Sequence, residues 1–540
     1  MRNDRAVGHD EGPGEPQGAK SLKSMAKTTC HPDRSVAKWR DLRFLPLIRD
    51  PAFAIALLTV AVSLVHGYHP LADDGAVYVA GIKKLVDPSL YPADAVFALS
   101  PTHLSIFAHL LAALVRWGHV ALPVLLLVCQ LASILLFLLG SWRVANRIFV
   151  GRHACWGAVL LAACCFTLPV AGTSLSIMDP YVTARSFSTP LSLFALAAAL
   201  DEKWAESILW LGLAALLHPL MAGYAAIAMF TLALVNRRQW RFVGLWAGLG
   251  WLLCAVIFLA TRHADASVVY NRAVLSRSYF FLSSWHWFEY PGLVMPLLLL
   301  GFGGSQRRAP WPARALAIAA TVLGGCALLV SLCFVHRSGS LLLARLQVLR
   351  AFQFVYIAGV LLAGGMLGRL AGRHKRVIAL LGLMLVVAML AGQRLTYPES
   401  NHVEWPGLIP RNRWQQAFLW IRANTPRDAI FALDNDYIES AGEDAQGFRA
   451  IAERSAVADW FKDGGIASNF RQAAVPWWQG SQATHELNSA TDEQRWARLR
   501  PLGVSWIVLP AQASTGFACP FTNARVRVCR LAVSRTDGAK

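Results

Sequence analysis

The chain has 540 residues, of which 55% are hydrophobic and only 15% charged, with a formal net charge of +19. Apolar surface on that scale exceeds what a water-soluble globule can hide, so the bilayer has to be part of the solvent. The basic residues lie in short clusters between apolar runs, the pattern that orients a polytopic membrane protein, and no nucleic-acid partner is expected.

Residues 1–45 are polar and charged, with no apolar stretch of the kind a signal peptide carries, and read as a disordered cytoplasmic tail. Apolar runs follow at 51–66, 120–141, 154–171, 187–200, 205–217, 221–235, 242–261, 291–304, 314–335, 352–370 and 377–392. The run "THLSIFAHLLAALVRWG" (102–118) is ambiguous, and charge decides it. If it lies at or dips into the outer surface, the clusters "RVANRIFVGRH", "NRRQWR", "SQRRAPWPAR" and "RLAGRHKR" all fall on the side of the basic N-terminus. The expectation is a helical membrane domain over 46–397 with about eleven spans and a first outer loop at 67–119. In that topology the N-terminus is inside and everything after residue 397 is outside.

That arrangement also sorts the acids. Asp73, Asp74, Asp87, Asp94, Asp179, Asp265 and Glu289 fall outside, and only Asp201, Glu202 and Glu206 fall inside. Lys83, Lys84, Arg185, Arg272, Arg277, Arg345 and Arg350 join the outer group. Opposite charges gathered on one face point to a polar site there and not to a central pore. From 398 the texture changes. "RNRWQQAFLWIRANTPRDAIFALD" reads as helix, turn and strand, and "GVSWIVLP" and "ARVRVCRLAV" as further strands, giving a small α/β or α+β domain over 398–540. The ten cysteines show no metal-ligand spacing. Cys519 and Cys529 flank an expected hairpin, where an oxidising compartment would allow a disulfide.

The first candidate for chemistry is "ADDGAVYVAGIKKLV". Gly75 permits a tight turn, and the residues after it form a short interfacial helix with Lys83 and Lys84 extending toward headgroup depth. Asp73 and Asp74 then stand at its positive N-terminal end. One is expected to cap the helix, and the other is free to act as a base or to hold a metal ion. In "MDPYVTARSFSTP", Asp179 and Arg185 either bridge each other or leave Arg185 to grip an anionic headgroup. His218, before Pro219, is either a kink residue or a functional imidazole. Arg345 and Arg350 in "LLLARLQVLRAFQFVY" are either a diphosphate clamp or snorkelling side chains. In "DWFKDGG", Asp459, Lys462 and Asp463 make either a surface turn or a ligand-contacting loop.

On these motifs the chain resembles the GT-C class of integral-membrane glycosyltransferases: one span, a long outer loop opening on acids, many further spans and a terminal outer domain. It looks closest to a bacterial polytopic group, without an assigned activity, that carries "ADDGAVYVAGIKKL" in the first loop and "DPYVTARSFS" in a later one. The resemblance implies a bacterial inner-membrane enzyme whose donor is a polyprenyl-phosphate-linked sugar. It implies that Asp73 or Asp74 takes the acceptor proton, with Lys83, Asp179, Arg185, His218, Arg345 and Arg350 around the substrate. It leaves room for a divalent metal ion. "DWFKDGG" is similar in composition to the Trp/Asp/Gly-rich acceptor motif of oligosaccharyltransferases but departs in order and spacing, so no role passes across. The competing readings are a flippase or transporter for an anionic lipid or polymer, and a degenerate GT-C-like scaffold. A transporter is expected to carry mid-membrane charges and repeated halves, which this sequence lacks.

Overall fold

The computed structural model describes residues 50–236 and 267–531. The expected tail and the apolar run at 242–261 lie outside the described residues. A helix overlaps each of the other apolar runs, from Pro51–His66 to Lys375–Thr396. Length divides these helices. Leu122–Ile148, Trp311–Phe334, Leu341–Ala371 and Lys375–Thr396 are long and apolar enough to cross a bilayer, and Ala95–Leu104 with Phe107–Gly118 adds a fifth candidate only as a pair bent by 108°. Arg152–Cys164, Ala184–Leu200 and Trp204–Leu217 have 13, 17 and 14 residues. At 1.5 Å per residue they fall short of a ~30 Å hydrocarbon core. Among the described residues, four helices, or five with the bent pair, reach spanning length, against about eleven spans expected from the apolar runs. The bend also breaks 102–118 away from any straight span.

Small residues set the tightest helix contact. Gly157 on Arg152–Cys164 faces Gly364 and Gly368 on Phe352–Ala371, and a Cβ on any of the three would collide with backbone of the opposite helix. The segment between Cys164 and Ala184 is held by polar side chains that interrupt the apolar helices. Gln130 Nε2 donates to the Asp179 carbonyl at 2.9 Å and Gln353 Nε2 to the Ile177 carbonyl at 2.7 Å. His66 bonds Thr167 Oγ1 and the Ala163 carbonyl. These contacts satisfy backbone that is buried without a helix of its own.

The C-terminal region builds a five-stranded mixed sheet in the order β2-β1-β3-β5-β4. The strands are β1 (Ile430–Ala432), β2 (Ser455–Ala456), β3 (Trp506–Pro510), β4 (Phe521–Thr522) and β5 (Val526–Arg530). β1 is parallel to both β2 and β3, and β5 is antiparallel to β3 and β4. Alternation along β3 feeds two cores. Trp506 and Val508 join Phe418 and Phe448, while Ile507 and Leu509 join Leu487 and Leu499. Cys519 and Cys529 form a disulfide.

The two regions interlock. Tyr68 pairs with Val403 in a parallel bridge, its N–H donating to the His402 carbonyl at 3.0 Å. The apolar side of Asp73–Val86, through Ala76, Val79 and Ile82, packs against Phe107, Leu111 and Ala450 of the sheet region.

Candidate functional site

Asp73 and Asp74 occupy the first turn of Asp73–Val86, where unpaired N–H groups and the helix dipole favour carboxylates. Neither is the cap. Ala72 holds that position without a side-chain bond, so the expected capping role is replaced by longer-range partners. Gly75 is inside the helix and makes no turn. Its missing side chain admits Tyr181, which a Cβ would meet at 3.1 Å, and the Pro70 carbonyl at 2.8 Å. Tyr181 uses that approach to donate its hydroxyl to Asp73 Oδ2 at 3.0 Å. The Asp73 N–H is taken by the side-chain oxygen of Gln446. Asp73 has φ of 47°, the left-handed region that residues with a Cβ seldom adopt outside sites that over-determine it.

The main partner of both acids comes from the sheet. Lys462 Nζ lies 3.1 Å from Asp74 Oδ1 and also contacts Asp73 Oδ1. The carboxyl ends of parallel strands present it: the loop after β1 brings Glu439 and the loop after β2 brings Phe461 and Lys462. Asp459 Oδ1 accepts the Lys462 N–H at 2.6 Å. Asp463 receives two nitrogens of Arg449 at 2.8 and 2.9 Å, and Arg449 also reaches Asp94. Burial opposes the Arg449 charge, but Asp463 and Asp94 hold the guanidinium well above its ordinary value. Burial, then the charge of Asp463, push Asp459 up to about 8. Burial draws Lys462 down to about 8.

The acid pair and Lys462 line one cleft of about 490 Å³. Asp73, Asp74 and Lys462 stand with Arg277, Tyr279 and Arg350 around it. Arg277 is spent on structure: its terminal nitrogens donate to the Trp460 and Phe461 carbonyls at 2.6 Å each, which fixes the turn before Lys462. The Arg350 side chain makes no ion pair or hydrogen bond among the described residues, and its guanidinium lies 5.6 Å from the Tyr279 ring centroid. Leu104, 57% exposed, carries apolar surface into the cleft wall.

Other expected site residues lie elsewhere. Lys83 is at the far end of the same helix, paired with Glu453 at 2.6 Å and the Ala450 carbonyl at 2.7 Å, beside a second cavity of about 400 Å³. Asp179 and Arg185 form a buried ion pair, the plain structural alternative, and stand outside the cleft lining. Burial raises Asp179 even against Arg185. His218 sits between two helices and accepts the Met221 N–H at 3.4 Å on Nδ1. Arg345 donates to the Ser468 carbonyl at 3.1 Å and lies 3.8 Å from the Tyr270 ring centroid, so it does not clamp the cleft beside Arg350. Tyr181, Tyr279 and Glu439 carried no local sequence signal.

The divalent ion allowed by the sequence finds no suitable donor set. Asp73 and Asp74 share an ammonium, and among the described residues no three His, Cys, Asp or Glu side chains group around a metal position.

A family model described as a domain of unknown function, DUF6798, matches residues 412–478, the stretch that contains Arg449, Asp459, Lys462 and Asp463. No curated protein gives a significant match. Among solved structures the chain is similar to the Archaeoglobus fulgidus oligosaccharyltransferase tethered with an acceptor peptide. That match has 13% identity and a TM-score of 0.48 over 88% of this chain and 70% of that one. It is also similar to oligosaccharyltransferase AglB of that organism with an inhibitory peptide and a dolichol-phosphate, at 12%, 0.47, 88% and 70%. The complex of the A. fulgidus enzyme with Zn and sulfate gives 14%, 0.43, 85% and 68%. Identities this low carry no residue role across.

Proposed function

We propose that this protein is a GT-C-type membrane glycosyltransferase that moves a sugar from a polyprenyl-phosphate-type lipid to an acceptor hydroxyl at the outer face. The observation that carries this reading is the cleft itself, which joins two carboxylates to an arginine that no carboxylate neutralises. In the reaction, a carboxylate of the Asp73–Asp74 pair takes the acceptor proton as the acceptor oxygen bonds the anomeric carbon. The bond from that carbon to the phosphate oxygen breaks, and Arg350 offsets the charge that develops on the leaving phosphate. Asp74 is the better placed base, since Tyr181 and Gln446 hold Asp73, whereas among the described residues the Asp74 carboxylate pairs with Lys462 alone. The exposed apolar surface at Leu104 suits a substrate whose tail stays in lipid while its phosphate lies at the interface.

Asp74→Asn is expected to abolish transfer from a polyprenyl-phosphate sugar in proteoliposomes, Asp73→Asn to lower it at least as far as Arg350→Met, and Arg350→Met to lower it about 10²-fold. All three should insert and purify like the wild type. Full activity in both single aspartate variants and in the double variant would falsify the catalytic reading.

A further inference from the structure

We infer that Lys462 is the built-in counter-cation of the acid pair, occupying the place between Asp73 and Asp74 that a divalent ion would otherwise take. The inference rests on the reading of those acids as the working groups, but its test does not depend on sugar transfer.

The geometry behind it is over-determined. Lys462 opens the helix Lys462–Asn469, and its backbone is fixed from both sides. Arg277 grips the two preceding carbonyls, Asp459 takes the Lys462 N–H, and Arg449 locks the next residue, Asp463. The side chain is 28% exposed and its ammonium reaches both carboxylates. A lysine suits this place because its three donors can serve two acceptors from one compact charge.

Charge makes the lysine consequential. Two carboxylates with one ammonium leave a single negative charge, which can still accept a proton, whereas a divalent ion would cancel both. Without Lys462 the two ionised acids would repel, and near neutral pH the pair would recruit a cation from solution in place of the ammonium. The chain supplies its cation from 388 residues downstream, so the acid pair meets its ammonium only when the sheet region is docked.

The test is binding of Mn²⁺, followed by electron paramagnetic resonance on the full chain in detergent. The wild type is expected to show no Mn²⁺ site that Asp73→Asn or Asp74→Asn removes. Lys462→Met is expected to gain one site per chain, at least about tenfold tighter than any wild-type binding, and to lose it again when combined with Asp73→Asn. Lys462→Ala serves as the second variant, and thermal unfolding identifies which variants are folded. A wild-type site lost in Asp73→Asn overturns the inference, because the acids then take metal despite the lysine. Folded Lys462→Met and Lys462→Ala that both fail to gain a site overturn it too, because the carboxylates then do not converge. If neither variant folds, the wild-type measurement alone decides. A chain inactive in sugar transfer would give the same binding outcomes, so the two readings fail separately.

Discussion

Asp459 carries a cost that pH can expose. In the unfolded chain its carboxyl has its ordinary value of 3.8, while the folded one holds its proton up to about 8. The folded form therefore binds the extra proton, and stability falls as pH rises across that window. Asn imitates the protonated form, keeping an oxygen for the Lys462 N–H and an amide to face Asp463. Asp459→Asn should gain on the wild type in thermal unfolding as pH rises from 5 to 8.5, by on the order of 4 kcal/mol. An equal difference at both values would assign the effect to packing instead. The sequence made this aspartate visible as part of "DWFKDGG" but left it on a surface turn. Its burial depends on Arg449 and the first loop, which no local pattern reveals.

At the scale of elements, the helix Asp73–Val86 shows what a pattern can and cannot say. A helix with acids at its N-terminal end and lysines toward its C-terminal end follows from the sequence alone, although it opens at Asp73 and not after Gly75. The partners do not, because the acids and Lys83 meet residues more than 360 positions away. The same limit separated Arg345 from Arg350: five residues apart, they face different surroundings because a left-handed residue, Gln347, turns the chain between them. Gly75 was read for its freedom, whereas its use is close approach. Gly75→Ala should push Tyr181 away from Asp73 and destabilise the protein by about 1–3 kcal/mol in thermal unfolding. Gly212→Ala, where a Cβ meets open space, is the control and should change little.

For the whole molecule, each apolar run in the described residues coincides with a helix, but composition marks a buried or interfacial helix as readily as a spanning one, and only four of the helices reach spanning length unbent. Gln130 and Gln353, set within apolar helices, hold the buried 165–183 segment. What unites the molecule is the Asp94–Arg449–Asp463 bridge from the first loop into the sheet region. Arg449→Met leaves two buried carboxylates uncompensated, a loss of about 3–5 kcal/mol. Limited proteolysis should then cut the sheet region faster while the long apolar helices stay protected, and an unchanged cleavage rate would remove the bridge from the docking account.

The separation between Asp73 and Lys462 also sets an order of events during synthesis. The acids leave the ribosome early, beside the first apolar helix, and the lysine follows only when most of the chain has been made. Until then the pair stands with its charge unbalanced and the cleft lacks one wall. Completion of the site is thus a late checkpoint, and a nascent chain halted before residue 462 carries the acids but never the finished pocket.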